Sequence, residues 1–161
     1  MKRAVAVFFG AGLVPVAPGT VGSAAATLLA WIAWSAGGFM LVAGLTILAV
    51  IAGFWSISGL ELDEDEDPAS VVIDEVAGQF IAVLPVGFWL DRIEGNAPGI
   101  AAAGWFLSFL LFRVFDIAKP WLVGKADRMG GTAGIMLDDI AAGVMASVIL
   151  AVSGALALGM A

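Results

Sequence analysis

The stretch FMLVAGLTILAVIAGFWSISGL, residues Phe39 to Leu60, decides the fold class because it is 22 residues long, strongly apolar and free of charge. A helix needs about 20 such residues to cross the roughly 30 Å hydrocarbon core of a bilayer. The whole chain shares this character: 61% of its 161 residues are hydrophobic, 13% are charged, and the mean hydropathy is +1.05. A soluble domain carries about 25% charged residues. The composition and length therefore predict one all-α, membrane-embedded domain that covers residues 1–161.

Four further apolar stretches complete the predicted bundle. Glycine pairs, prolines and charged loops separate them, and these are the usual points at which helices end. The other predicted spans are Val21 to Ala36, Ser70 to Leu90, Gly99 to Ala118 and Gly134 to Leu158. The breaks are Gly37-Gly38, the acidic run with Pro68, the loop Asp91 to Pro98 and the segment Pro120 to Gly131. We predict a polytopic bundle of about five helices, with a marginal or re-entrant first helix.

The N-terminus resembles a signal peptide only in part. Lys2 and Arg3 precede the apolar segment Ala4 to Val14, as in such peptides. Pro18, however, follows the only plausible cleavage site, and no mature soluble domain comes after it. We interpret this segment as an interfacial or re-entrant lead-in to the first helix.

Lysine and arginine residues set the predicted orientation. With five spans, one side of the membrane holds five basic residues and the other side holds only Arg92. The five are Lys2, Arg3, Lys119, Lys125 and Arg128. If the first segment did not cross, the basic residues would divide three against three. The bias favours five spans, with the more basic side in the cytoplasm.

Two absent residue types limit the chemistry. Without cysteine there are no disulfides, thiolate nucleophiles or cysteine-bound metals. Without histidine there is no Ser-His-Asp triad and no imidazole metal ligand. The net charge of −7 argues against a nucleic-acid partner. Chemistry in this chain must use carboxylates, amines, guanidinium groups, hydroxyls or a bound metal.

Asp74 and Glu75 lie inside a predicted span. We expect the acidic run Glu61 to Asp67 to be a solvated loop, with Asp67 capping the next helix and Pro68 at its first position. The two acids would then lie about 10 Å along the axis, beyond the reach of the helix dipole. An acid at the centre of a span costs on the order of 2.5–3.5 kcal/mol. We predict a functional site here, and the alternative is a structural pair with a basic residue.

Arg113, Asp116 and Lys119 recur every three residues and are predicted to line one helix face. Pro120 ends the helix and leaves Lys119 at its C-terminal end, where a cation is favoured. The structural alternative is an ion-pair ladder with a snorkelling lysine. A guanidinium in a dry setting is suited to a bidentate phosphate contact, so we predict that Arg113 and Lys119 bind substrate.

Asp138 and Asp139 follow a glycine-rich segment that begins at Gly130. A helix N-terminus enriched in acids is the structural alternative. Adjacent carboxylates point about 100° apart on a helix of 3.6 residues per turn. One can therefore face a metal while the other supports it or binds a second ion. The small residues Ala141, Ala142 and Gly143 would permit a close approach of another helix.

The three charged groups fall at the same predicted membrane side. Five carboxylates there outnumber two cations, so the cluster calls for a divalent cation. Oxygen ligands without histidine select Mg²⁺, with Mn²⁺ and Ca²⁺ as alternatives. Thr20 and Ser23, in the glycine-rich stretch Ala17 to Ser23, could cradle an anion at a helix start, although a plain turn and N-cap explain that stretch equally well. A hard cation beside a guanidinium and an ammonium is a site for a phosphate group.

Four blocks of sequence, in order and covering nearly the whole chain, resemble the phosphatidylglycerophosphatase A family. The blocks are Pro18-Gly19-Thr20-Val21-Gly22-Ser23, Val72-Ile73-Asp74-Glu75-Val76-Ala77-Gly78-Gln79, Phe112-Arg113-Val114-Phe115-Asp116-Ile117-Ala118-Lys119-Pro120-Trp121, and Gly130-Gly131 with Gly134-Ile135-Met136-Leu137-Asp138-Asp139 and Ala142-Gly143. The resemblance implies an all-helical, Mg²⁺-dependent lipid phosphatase of the bacterial inner membrane. It would convert phosphatidylglycerol phosphate to phosphatidylglycerol and inorganic phosphate.

The residues receive predicted roles on this basis. Asp74, Glu75, Asp138 and Asp139 are predicted to hold Mg²⁺, and Asp116 is a further ligand or the base that orients water. Arg113 and Lys119 bind the terminal phosphate and offset charge as the P–O bond breaks, while Thr20 and Ser23 contact the phosphate or the glycerol. Water activated by the metal is the preferred nucleophile, and attack by an aspartate is the less favoured route. The oligomeric state is left open.

Two other functions were weighed. A cation or proton transporter would distribute charges through the depth of the membrane and show an internal repeat, whereas these charges gather at one level. A CDP-alcohol phosphotransferase would carry a multi-aspartate signature with glycine and arginine at fixed spacing, which this sequence lacks.

Overall fold

The computed structural model describes residues 1–58, 60, 70–93 and 98–159, and within them the regular structure is helical. The elements are α1 (Lys2–Ala6), a 3-10 helix (Phe8–Leu13), α2 (Pro18–Ile57), α3 (Ile73–Leu90), α4 (Pro98–Ala118), α5 (Trp121–Asp127) and α6 (Gly131–Ala157). In this part of the chain, α2, α3, α4 and α6 are long and apolar enough to cross a membrane. This confirms the predicted all-α, membrane-like bundle.

The longest helix, α2, folds back on itself at the predicted break. Gly37 and Gly38 have non-helical backbone angles, and Gly38 has a φ of 62°, which glycine adopts at little cost. Residues 18–36, the first arm, begin beside Glu75 at the start of α3, and residues 39–57, the second arm, return to Ile73 at the same end. The two arms with α3, α4 and α6 make five membrane-length segments. The first arm starts three residues earlier than predicted and runs the length of the bundle rather than re-entering.

Asp91, just after α3, holds the turn between the two arms. Its Oδ1 accepts a hydrogen bond from the Trp34 indole at 2.7 Å, and its Oδ2 accepts one from the Phe39 backbone N–H at 2.9 Å. The carboxylate therefore takes up a backbone donor that the turn removes from the helical ladder.

Helix α3 lies at the centre of the bundle, with the other long helices packed around it. Gly78 on α3 lies against Phe112 of α4 and the backbone of Asp139 on α6. Farther along, Gly104 of α4 meets Val86, and Gly154 of α6 meets Trp89. Helix α4 is therefore antiparallel to α3, and α6 is parallel to it. The starts of α2, α3 and α6 and the end of α4 meet at one end of the bundle, called here the basal end.

The start of α3 differs from the sequence-based prediction. The helix begins at Ile73 with Val72 as its N-cap, so Asp74 and Glu75 lie in its first turn and not two turns inside. The β-branched residues Val71 and Val72 disfavour helix, and the Val72 N–H donates to the carbonyl of Ala6 at 2.9 Å. The run Glu61 to Asp67, its cap and Pro68 lie outside the described residues.

The N-terminal segment forms two short helices at the basal end. Besides the bond from Val72 to Ala6, the Lys2 ammonium lies 5.4 Å from the centre of the Trp55 ring near the end of the second arm. Lys119, Lys125 and Arg128 also belong to this end, because they follow α4, whereas Arg92 lies at the opposite end beside Asp91. The structure thus groups the basic residues as the five-span topology requires.

Candidate active site

Three carboxylates from two helices converge at the basal end. One oxygen from each of Asp74, Glu75 and Asp139 lies within 4.8 Å of the other two. The Asp74 and Asp139 residues are 9% and 3% exposed, and Glu75 is half-buried. Such an arrangement brings negative charges together where water screens them poorly.

Glycine contacts between α3 and α6 create this convergence. A Cβ at Gly143 would clash with the carbonyl oxygen of Gly78, and a Cβ at Gly78 would lie 2.5 Å from the carbonyl oxygen of Asp139. The backbones can approach this closely only because both positions lack a side chain. The close approach that the sequence predicted at Gly143 therefore sets the distance between the acids of α3 and those of α6.

The three carboxylates are incompletely paired. Asp74 Oδ1, Glu75 Oε2 and Asp139 Oδ1 are buried oxygens without a hydrogen-bond partner among the described residues. Buried polar atoms in native proteins nearly always have a partner, so each such atom calls for an ion, a water or a ligand. A cluster of carboxylate oxygens is the donor set that hard cations such as Mg²⁺ prefer. The residues present therefore fit a divalent cation.

A polar cavity of about 280 Å³ opens beside the cluster. Its walls come from the start of α3, the end of α4, α5 and the first half of α6, and they include both predicted and unpredicted residues. The charged lining residues are Asp74, Glu75, Asp116, Lys119, Asp127, Asp138 and Asp139. The cavity is large enough for a phosphate group, and its rim carries the cation that such a group needs.

Lys119 bridges α5 and α6 across this cavity. Its ammonium donates to Asp138 Oδ2 at 2.9 Å and to Asp127 Oδ1. Burial would lower the pKa of Lys119, but the hydrogen bonds to Asp127 and Asp138 outweigh it and raise the pKa above its ordinary value. The side chain therefore stays cationic across the physiological pH range.

The predicted ladder of Arg113, Asp116 and Lys119 exists only in its first half. Arg113 Nη1 lies 2.5 Å from Asp116 Oδ2, three residues along the same helix. Lys119 does not continue the ladder, because α4 ends at Ala118 and Lys119 has a φ of 44°. Pro120 cannot continue the helix, so Lys119 leaves the shared face and pairs with Asp138 instead.

Asp138 and Asp139 face different surroundings. Helix α6 begins at Gly131, so both acids lie about two turns inside it, and a helix-terminus role is excluded for them. Asp139 joins the carboxylate cluster, while the Asp138 oxygens accept bonds from Lys119 and from the Asp139 backbone N–H at 3.0 Å. The structure therefore brings Asp139, and not Asp138, together with Asp74 and Glu75.

Arg113 reaches from α4 to the start of α2. A Cβ at Gly19 would clash with Glu75 Oε1 and would lie 3.4 Å from Arg113 Nη1. Thr20 is half-buried in the first turn of α2, while Ser23 is fully buried and its hydroxyl donates to the Gly19 carbonyl at 2.7 Å. The predicted anion cradle thus lies next to Glu75 and Arg113, but the Ser23 proton is bonded within its own helix.

Two polar residues of this region were missed as candidates by the sequence reasoning. Asp127 lies on α5, a helix too short to show a periodic pattern, and pairs with Lys119. Gln79, one turn beyond Glu75, is fully buried, and neither of its amide atoms has a partner among the described residues. Its position four residues after Glu75, on the same helix face, is the signal that could have identified it.

Comparisons with known proteins agree on one family. The family model described as phosphatidylglycerophosphatase A matches residues 4–153. A Bacteroides thetaiotaomicron protein provisionally named as a phosphatidylinositol-3-phosphatase is 38% identical over 155 residues, which cover 90% of this chain and 88% of that protein. Phosphatidylglycerophosphatase A of Escherichia coli is 35% identical over 154 residues (91% and 79%), and that of Haemophilus influenzae is 32% identical over 148 residues (91% and 84%). No solved structure matches the chain.

Proposed function

Because the chain belongs to the phosphatidylglycerophosphatase A family and is thus a phosphoric monoester hydrolase of a bacterial membrane, we propose that it hydrolyses phosphatidylglycerol phosphate with Mg²⁺ as its cofactor. The products are phosphatidylglycerol and inorganic phosphate. The observation that carries the metal requirement is the set of three buried, unpaired carboxylate oxygens on Asp74, Glu75 and Asp139. The transporter alternative has no comparable support, because these acids lie together at one end of the bundle.

The carboxylate cluster would hold the metal through Asp74, Glu75 and Asp139. A bound Mg²⁺ would neutralise the phosphate oxygens and lower the pKa of water. Asp138, predicted from the sequence as a fourth ligand, already has a partner on each oxygen. We therefore assign Asp138 the role of holding the Lys119 ammonium at the cavity wall, with direct metal ligation as the alternative.

Four side chains act on the substrate and the attacking water. Arg113 and Lys119 bind the terminal phosphate and offset the charge that develops as the P–O bond to glycerol breaks. Asp116 lines the cavity and orients the water whose oxygen attacks phosphorus. Thr20, in the first turn of α2, contacts the phosphate or the glycerol, and the buried Ser23 fixes the backbone at Gly19. Direct attack by an aspartate is the less favoured route.

The membrane geometry presents the site to one leaflet. Lys2, Lys125 and Arg128 belong to the basal end, and Arg92 belongs to the other. Cytoplasmic loops are enriched in lysine and arginine, so we place the basal end and its site at the cytoplasmic face of the bacterial inner membrane. A lipid phosphate can then enter with its headgroup in the cavity while its acyl chains stay in the bilayer.

A second candidate substrate is an inositol lipid phosphate. It is favoured by one relative, the Bacteroides protein, whose provisional name states that class. Both candidates are phosphate monoesters on a membrane lipid, so the same cavity chemistry serves either. The headgroup between the lipid and the terminal phosphate distinguishes them.

Phosphate release by the purified full-length protein tests the function. The substrates are phosphatidylglycerol phosphate, phosphatidylinositol 3-phosphate, phosphatidic acid and a soluble phosphate monoester, each with Mg²⁺ and with chelator. We expect release from phosphatidylglycerol phosphate with Mg²⁺, loss of release in chelator and its recovery when Mg²⁺ is added back. Faster turnover of the inositol lipid would assign the second candidate, and full activity in chelator would exclude the metal.

Carboxylate-to-amide variants test the site. Asp74→Asn and Asp139→Asn should lose at least about a hundredfold in phosphate release while the protein stays folded, since each removes a charge from the metal site. Asp65→Asn, in the acidic run, is the matched control and should keep wild-type activity. Wild-type activity in Asp139→Asn would remove the carboxylate cluster from the mechanism.

A further inference from the structure

An apolar groove of about 600 Å³ runs between the first arm of α2 and α4, with the end of α3 behind it. Small residues and tryptophans make up most of its walls, including Ala24, Trp31, Trp34, Ala102 and Trp105. Its outer edge faces the surroundings of the bundle, because Leu28 and Trp31 are 54% and 47% exposed. In a membrane that edge meets lipid.

The groove begins close to the substrate-binding end of the site. Ala24 lies four residues after Thr20, or about 6 Å along the first arm, and Trp34 lies about 21 Å from Thr20. On the opposite wall, Trp105 lies eight residues before Arg113, or about 12 Å along α4. Arg113 and Gly19 approach each other below the groove, at the basal end. The groove thus extends from the site toward the bilayer interior over about 15 Å, half of a hydrocarbon core of roughly 30 Å.

The Trp105 side chain indicates that this groove receives a ligand. Trp105 is only 6% exposed, and its ring lies 6.2 Å from that of Trp34. Its indole N–H has no hydrogen-bond partner among the described residues. A buried tryptophan N–H usually finds an acceptor, so the groove is suited to a molecule that is largely apolar and also carries an oxygen, as an ester-linked lipid does.

We propose that this groove binds one acyl chain of the lipid substrate and thereby selects long-chain lipid phosphates over short or soluble ones. The proposal rests on the proposed function, because it places the headgroup of that substrate at Arg113. The chain leaves a bilayer as apolar as the groove, so the gain in affinity is small. The groove instead fixes the position of the headgroup, and such positioning contributes strongly to the rate of a reaction.

Blocking the groove while leaving the site intact tests the proposal. Ala102→Trp places an indole inside it, and Ala24→Trp does so from the other wall. Leu29→Trp is the matched control, since Leu29 is exposed on the same arm as Ala24 but does not line the groove. Each variant is assayed in mixed micelles against dipalmitoyl and dihexanoyl phosphatidylglycerol phosphate. Folding is checked by size-exclusion chromatography.

We expect kcat/KM for the long-chain substrate to fall about tenfold or more in both groove variants, because a blocked groove no longer positions the chain. Activity on the short-chain substrate and both activities of Leu29→Trp should stay at wild-type levels. An equal loss on both substrates, or no loss on either, would overturn the proposal.

A binding measurement separates this proposal from the function itself. Phosphatidylglycerol phosphate with brominated acyl chains quenches nearby tryptophans, so we expect saturable quenching that falls when Trp105→Phe removes the fluorophore and when Ala24→Trp fills the groove. Brominated phosphatidylcholine at the same mole fraction is the control. Quenching without turnover would retain the groove and reject the function, whereas equal quenching by both lipids would reject the groove as a substrate site.

Discussion

Buried polar atoms without partners mark the site at the scale of single residues. The carboxylate cluster, the Arg113 guanidinium and the Gln79 amide all contribute such atoms, and all lie near the start of α3 or beside it. An unpaired buried group costs about 1–3 kcal/mol, so a protein keeps several together only where something else pairs with them. In this protein a cation and a phosphate supply the charges that the cluster lacks.

Arg113 provides a residue-scale prediction. If its guanidinium makes two parallel contacts to phosphate, a lysine cannot replace it, since an ammonium lacks the planar fork. We expect Arg113→Lys to lower kcat/KM by about tenfold or more, mainly through a higher KM for the lipid phosphate. Arg92→Lys, at the opposite end, is the control. Unchanged kinetics in Arg113→Lys would show that only the charge matters.

Gln79 provides a second one. Its amide is fully buried with both polar atoms unpaired, so Gln79→Met keeps the length of the side chain and removes the cost. We expect the free energy of unfolding in detergent to rise by about 1–3 kcal/mol. Ser108→Ala should change it in the opposite direction, because the buried Ser108 hydroxyl donates to the Trp105 carbonyl at 2.7 Å. A less stable Gln79→Met protein would reveal a partner for the amide.

At the scale of elements, the start of α3 and its packing against α6 position the acids. Asp74 and Glu75 lie in the first turn of α3, where the helix dipole favours anions. That dipole amounts to only about half a positive charge, while three carboxylates meet at the cluster. The position of α3 therefore moderates the charge of the site without removing its need for a cation.

The contact between Gly78 and Gly143 gives the element-scale prediction. Gly143→Ala forces α6 away from α3, because the new Cβ meets the Gly78 carbonyl. We expect a loss of about 1–3 kcal/mol of stability, as in other overpacked cores, together with weaker Mg²⁺ activation. Gly44→Ala is the control, since a Cβ at Gly44 has nothing within 4 Å. Unfolding in SDS and Mg²⁺ titration of activity measure the two effects, and wild-type behaviour of Gly143→Ala would contradict this account.

At the scale of the whole molecule, all the proposed catalytic groups lie at one end of a five-segment bundle. Because the chain contains no cysteine, single cysteines can report its orientation without background. We expect Arg92→Cys to react with a membrane-impermeant maleimide in intact cells whose outer membrane has been permeabilised. Met129→Cys, exposed at the basal end, should react only after lysis. The reverse pattern would place the site outside the cytoplasm.

The sequence by itself determined the membrane class, the helical segments and most of the candidate residues. Spans without charge need no partner to be recognised, since the hydrophobic thickness of a bilayer fixes their length. The break at Gly37-Gly38 was also readable, because glycine alone adopts the turn at little cost. Charges within apolar segments identified Asp74, Glu75, Arg113 and Asp139 as candidates, because an isolated charge is too costly there to be incidental.

Only the tertiary structure decided which of these charges meet. Spacing along a helix places residues on a face, but the rotation and crossing of helices decide what that face contacts, and the Gly78–Gly143 approach is a property of two segments far apart in sequence. Lys119 left its expected face because α4 ended one residue before it, and it drew Asp138 away from the cluster toward itself and Asp127. The start of α3 at Ile73 likewise depended on a hydrogen bond to the distant Ala6. Such pairings depend on distances through space, which a linear pattern of residues does not contain.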